Sequence, residues 1–247
     1  MSTRSGADDA GDEPARPPRA DVRRAAANNA RWCGAVCRAH GLSPRGDPEI
    51  WSSENRTPPL YPDAITLVPT CTAAAVLARV DSSLGCSVKD SFSSLDLAPA
   101  GFRVLFSATW IVRDQGEEKS GADDELDWCA VGDVAELAEW ERACDQSVKG
   151  IFVPALLGDP GVRILAGYQG SAIRAGAVLS SDGDLVGLSN LFGPSTTLVQ
   201  ALASSVGYAA RAFPGCPIVG YESGARLQAA MACGFRPLGP LRVWIRD

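Results

Sequence analysis

The chain has 247 residues, 46% of them hydrophobic, and a formal net charge of -6. That length allows one or two domains with a sizeable core. No apolar run reaches the roughly 20 residues of a membrane helix, and an acidic balance without a basic stripe disfavours nucleic acid.

Met1 to Ala20 holds Ser, Gly, Pro, Asp and Arg without an apolar segment of the export-signal kind, so it reads as a disordered leader of a cytoplasmic protein. The eight cysteines are scattered through the chain and read as buried free thiols. Ala20 to His40 is a predicted helix. On it Cys33, Cys37 and His40, the only histidine, share one face at i, i+4 and i+7. Zinc would need a further ligand such as Cys71 or Cys86. Small apolar cysteines at helical spacing are more often core, and no metal is assigned. Trp32 and Trp51 read as packing residues. Asn55 to Asp63 (NRTPPLYPD) is a proline-rich extended loop that either caps a substrate pocket or merely connects. Ile65 to Val68 reads as a short strand, Ala73 to Val80 as a helix, and Phe102 to Val112 (FRVLFSATWIV) as a strong strand.

Arg113 to Glu125 (RDQGEEKSGADDE) reads as a linker, dividing a smaller α/β region at 21–113 from a second unit at 126–247, with 114–125 between them. From Asp114 to Asp145 there are 12 acidic residues against Lys119 and Arg142. The plain reading is a solvated linker and outer helix face; the sharper one is a negative field that attracts a cationic amine. Beyond the linker, Leu126 to Val131 is a strand and Val134 to Cys144 a helix. Val162 to Tyr168, Ala172 to Leu179 and Leu185 to Phe192 follow as strands, separated by Gln169-Gly170 and Asp182-Gly183, so an antiparallel meander is expected. Thr196 to Phe213 is a helix with Ser195 supplying the N-cap hydroxyl. Phe102-Arg103-Val104-Leu105 echoes Val162-Arg163-Ile164-Leu165, each after a strand-helix pair. This reads as a degenerate half-repeat or as chance similarity between two amphipathic units.

The last 32 positions, Cys216 to Asp247, read as strand, helix, Gly-Phe and strand. Leu227, Ala230 and Met231 mark the helix, and Gly234 stands where a left-handed C-cap would sit. A helix closing on Gly-Phe before a strand, after the order strand, helix, three strands, helix, strand, resembles the GCN5-related N-acetyltransferases over Leu126 to Asp247. The resemblance implies an α/β fold with a mixed sheet flanked by helices, and transfer of an acyl group from acyl-CoA, in the first place acetyl-CoA, to an amine in a ternary complex. It also implies that Leu185 to Phe192 splays from the next parallel strand, so that unpaired backbone groups receive the pantetheine amides and the start of the long helix receives the pyrophosphate. The residues this assigns to acetyl-CoA are Asn190, Leu191, Phe192, Gly193, Ser195, Thr196 and Thr197.

In detail the family's pattern is not reproduced. Its tyrosine position falls at Ala230, its asparagine position at Ser223, and Leu185 to Phe192 holds no carboxylate. Glu222, at the end of a parallel strand, is then the candidate base, and Tyr208 and Tyr221 the candidate proton donors. The alternative is a non-catalytic module of the same fold that binds acyl-CoA or a partner.

Overall fold

The computed structural model describes residues 21–115, 126–144, 149–194 and 198–247. The leader and most of the linker (116–125) lie outside the described residues, as do Ser195, Thr196 and Thr197.

In chain order the elements are α1 (Val22–Ala39), β1 (Arg45–Gly46), β2 (Ile50–Ser52), β3 (Ala64–Thr66), α2 (Ala73–Leu77), β4 (Ser87–Asp90), β5 (Phe102–Arg113), β6 (Asp127–Ala130), α3 (Val134–Ala143), β7 (Val162–Gln169), β8 (Ala172–Ser181), β9 (Val186–Phe192), α4 (Leu198–Ala212), β10 (Ile218–Glu222), α5 (Gly224–Ala232) and β11 (Arg236–Arg246). Three helices begin on side-chain caps, because first-turn N–H groups have no partner inside the helix. Asp21 accepts from Arg24 N, Thr72 from Ala75 N and Asp133 from Glu136 N. Gly234 adopts φ 84° as expected. Its N–H bonds the Met231 carbonyl at 3.0 Å and the Phe235 N–H reaches back to Ala230 at 3.1 Å, a Schellman closure of α5.

All the described strands join one sheet in the order β1-β2-β3-β4-β11-β5-β10-β9-β8-β7-β6. The meander β7-β8-β9 is antiparallel, and β10 lies parallel to β9. β5, from the first half of the chain, lies antiparallel between β10 and β11, from the second. The sheet therefore does not divide at residue 114. The half-repeat reading does not match this topology. β6 and β7, flanking α3, pair directly, whereas β3 and β5, flanking α2, are separated by β4 and β11. The strands that pattern alone passed over, β1, β2 and β4, have two to four residues, too few to display a period of two.

Alternation along the strands sorts the core. Ile218 joins the cluster under α4 and α5, while Val219 joins Ala25, Ala26 and Trp110 under α1. α1 and α3 share a further cluster through Trp32, Val36, Leu137 and Trp140. Cys33 and Cys37 belong to it, and burial pushes their thiols up to about 11 and about 12. His40 Nε2 lies 2.9 Å from the Ile151 carbonyl. Among the described residues no group of three His, Cys, Asp or Glu is placed to hold a metal.

Two carboxylates of the acidic helix α3 serve local structure. Glu141 Oε1 accepts from the N–H groups of Gly150 and Ile151, and Glu136 Oε1 from the Tyr168 hydroxyl at 2.5 Å. No helix among the described residues is long and apolar enough to cross a membrane.

Candidate functional site

The parallel pairing of β9 with β10 stops after Ile218↔Val186 and Val219↔Gly187. Past that point the strands part, although the backbone of Gly220 still runs close to β9: a Cβ there would lie 2.9 Å from the Leu188 carbonyl oxygen. β9 also bulges. Gly176 pairs with Phe192 and Val178 with Ser189, so Asn190 and Leu191 together face one residue of β8. Asn190 takes φ 51°, a left-handed conformation that asparagine tolerates better than most L-residues. The inserted residue reverses the alternation beyond it. Leu191 turns to the α4 side and Phe192 packs edge-on against Trp140 on the other, with centroids 5.1 Å apart.

The parting opens a cleft of about 220 Å³ on the α1 side, and a smaller chamber of about 20 Å³ lies on the α4 and α5 side. The two share Leu188, Ser189, Leu191, Gly220, Tyr221 and Glu222, so the split in the sheet has a cavity on each face. The larger cleft is walled by Asn28, Asn29 and Trp32 of α1 and roofed by Leu60, Tyr61 and Pro62 of the proline-rich loop. That loop therefore lines the pocket, and Asp63 anchors it. The buried Asp63 carboxylate accepts from Arg56 Nη1 (2.6 Å), Thr57 N (2.9 Å) and Ser87 N (2.9 Å).

Glu222 ends β10 at the split and is among the residues lining both cavities. Burial raises its carboxyl above the ordinary value of 4.5, and the neighbouring Arg226 guanidinium opposes the shift. Arg226 Nε donates to Glu222 Oε2 at 3.1 Å and its Nη2 to the Leu191 carbonyl at 2.8 Å, so one side chain spans both strands of the split. Tyr221 lies on the α1 side, edge-on to Trp110 at 5.3 Å, and its hydroxyl receives Lys89 Nζ at 3.2 Å. Tyr208 lines neither chamber and packs half-buried in the apolar cluster around α4. Of the residues expected to hold acetyl-CoA, Asn190 and Leu191 line the cleft. Phe192 and Gly193 pack beside it, the latter against Ala175 and Ala201.

Four cleft residues escape sequence reasoning: Lys89, Tyr61, Ser189 and Arg226. The hydroxyls of Tyr61 and Ser189 are buried with no hydrogen-bond partner of good geometry among the described residues. The Asn190 side chain lies near enough to Tyr61 to favour its phenolate weakly, but burial dominates and holds the phenol well above its ordinary value. Unpaired buried hydroxyls are costly, which makes this wall a candidate ligand surface. The only signal for Tyr61 was its place in the proline-rich loop. Arg226 stands four positions after Glu222.

These features define an α/β protein with a cleft where two parallel strands separate at their C-terminal ends. No protein-family model matches the sequence, and no curated protein matches it. Among solved structures, a GCN5-related N-acetyltransferase from Kribbella flavida superposes with a TM-score of 0.60 at 10% identity, covering 90% of this chain and 95% of that one. A GNAT-family protein from Novosphingobium aromaticivorans gives 0.54 at 12% identity, covering 96% and 100%. A conserved protein of unknown function from Staphylococcus epidermidis gives 0.56 at 10% identity, covering 83% and 94%. The chain has the GCN5-related N-acetyltransferase fold. The likeness extends through 21–113 as well as the second half, because β4 and β5 belong to the same sheet as β10 and β11.

Proposed function

We propose that this protein is an acyl-CoA-dependent N-acyltransferase, moving an acetyl group from acetyl-CoA to an amine in a ternary complex. The observation that carries the reading is the split between β9 and β10, with a cavity on each face. Backbone groups that would have paired across the sheet are left for an amide-bearing arm, and Gly220 allows close approach. The thioester arm would lie along the split itself, against Asn190 and Leu191 of the bulge, with Phe192 and Gly193 following in the chain. The pyrophosphate would rest on 195–197 and the N–H groups that open α4. The α1 side would take the amine.

Within this reading Glu222 accepts the proton of the ammonium acceptor, and its raised carboxyl brings it nearer to the pH at which an amine must be deprotonated. That Tyr61 and Tyr221 line the cleft supports them as the hydroxyls that hold or give a proton near the departing sulfur; Tyr208 lines neither cavity. No covalent enzyme intermediate is required, since positioning of two substrates supplies much of the rate.

A second reading, a non-catalytic acyl-CoA-binding module, is favoured by Ala230. It stands at the family's tyrosine position and is fully buried. Thiol release from acetyl-CoA with a panel of amines separates enzyme from binder. Calorimetry with acetyl-CoA alone tests both, and absence of binding at millimolar ligand would exclude an acyl-CoA function.

A further inference from the structure

Lys89 is a buried cation without a counter-ion among the described residues. It belongs to β4 and is 3% exposed, yet it lines the cleft. Its Nζ donates to Asn29 Oδ1 at 2.7 Å and to the Tyr221 hydroxyl at 3.2 Å, and it lies 4.3 Å from the centre of the Tyr221 ring. All three partners are neutral. Among the described residues no carboxylate comes within ion-pair distance of it. The carboxylates that might have served are engaged: Asp63 with Arg56, Glu222 with Arg226, and Asp90 with the N–H groups of Ser94 and Leu95. An ammonium carries three donors, and two are used by protein atoms. A buried charge left in this state is costly unless something completes it.

Asn29 extends the same surface. Its Oδ1 accepts from Lys89, which leaves its amide nitrogen as a donor with no hydrogen bond among the described residues. Asn29 lines the cleft with Lys89, and the unpartnered hydroxyls of Tyr61 and Ser189 line it too. The lining of the cleft is thus rich in donors around a single positive charge. A carboxylate matches it, one negative charge with acceptor oxygens only. A phosphate dianion would leave excess negative charge buried beside one lysine.

We infer that the acceptor is a small amino acid whose carboxylate is received by Lys89 and Asn29 while its amine is presented to Glu222. This rests on the acyltransferase reading for the amine, but the carboxylate site has a readout of its own.

The test uses the full chain and two variants, Lys89→Met and Lys89→Gln, the second keeping a donor toward Asn29 and Tyr221 without the charge. Thiol release from acetyl-CoA is measured with a panel of α- and ω-amino acids, each beside its amide. The expected result is a KM at least tenfold lower for a preferred amino acid than for its amide. Both variants should raise the KM of the acid at least tenfold more than that of its amide, so that the preference for the acid is lost. Equal KM values for acid and amide in the parent protein, or variants that lose acid and amide alike, would overturn the inference.

If no amine is turned over, the acyltransferase reading fails separately. The carboxylate site is then read by calorimetry with the N-acetyl amino acids and their N-acetyl amides. Selective binding of the acids that both variants abolish supports the site. No binding of the acids at millimolar concentration, or binding that the variants retain, removes it. Melting curves confirm that each variant is folded.

Discussion

Arg226 bonds Glu222 at 3.1 Å across the mouth of the split in the sheet. In the folded chain burial penalises the Glu222 carboxylate and Arg226 relieves part of that penalty. Removing the arginine while keeping its bulk, as in Arg226→Met, is expected to raise the Glu222 carboxyl further. The acid limb of the kcat/KM profile then moves to higher pH. Glu222→Gln is expected to lower kcat/KM by about a hundredfold near neutrality and to flatten that limb. A profile unchanged in both variants would remove Glu222 as the base.

The same shift has a consequence for stability. A carboxyl whose folded pKa lies above 4.5 binds its proton more tightly in the folded chain than in the unfolded one. Its stabilising contribution is complete below the unfolded value and is lost as pH rises through the folded one. Glu222→Gln does not titrate, so the stability of the parent relative to this variant is expected to fall with rising pH across that window. Urea unfolding at a series of pH values measures it.

Tyr61→Phe separates ligand binding from stability. The hydroxyl makes no bond of good geometry among the described residues, so deleting it removes an unsatisfied buried group. The ligand-free variant is expected to be as stable as the parent or more so, by up to about 1 kcal/mol. If the hydroxyl serves a bound substrate, the KM for amine or acyl-CoA rises or kcat falls severalfold. A loss of stability with unaltered kinetics would show that the hydroxyl is structural.

Gly187 is required by packing. A Cβ there would lie 2.1 Å from Asn28 Oδ1 and 2.5 Å from Ser180 Oγ, and Asn28 is itself held by the Ser180 carbonyl at 3.1 Å. Gly187→Ala is expected to cost about 1–3 kcal/mol in urea unfolding through overpacking, with α1 displaced from the cleft wall.

Asp63→Ala leaves the N–H groups of Thr57 and Ser87 and the Arg56 guanidinium without their acceptor. Because Arg56 is 35% exposed at its side chain, water relieves part of the loss, and about 2–3 kcal/mol is expected. The loop that carries Tyr61 should loosen as well. Faster amide exchange at 55–63 than in the parent, under native conditions, is the measurement.

Legibility in the sequence followed locality. The frame of β10, α5, Gly234-Phe235 and β11 was readable because a helical period, a left-handed cap and a β-branched run are each written within a few neighbours. Glu222 and Tyr221 could be named as candidates for the same reason, because the end of a parallel strand is a local feature, and both line the cleft. Tyr208 was not placed by this logic, since a helix of 15 residues offers several faces and only packing chooses which meets the cleft. Lys89 was invisible, one lysine in SVKD with no period around it.

What the sequence by itself determined was the longer elements, their order and which side chains alternate to opposite faces, all consequences of backbone periods of 3.6 and 2. The tertiary structure alone decided that β5 enters between β10 and β11, that β9 bulges at Asn190, and that Lys89 meets Tyr221 from 132 positions away. Pairing between strands is a contest among distant segments, won by the packing of whole faces. The chemistry of this cleft depends on that outcome, because its charge, its base and its roof come from strands and loops that only the sheet brings together.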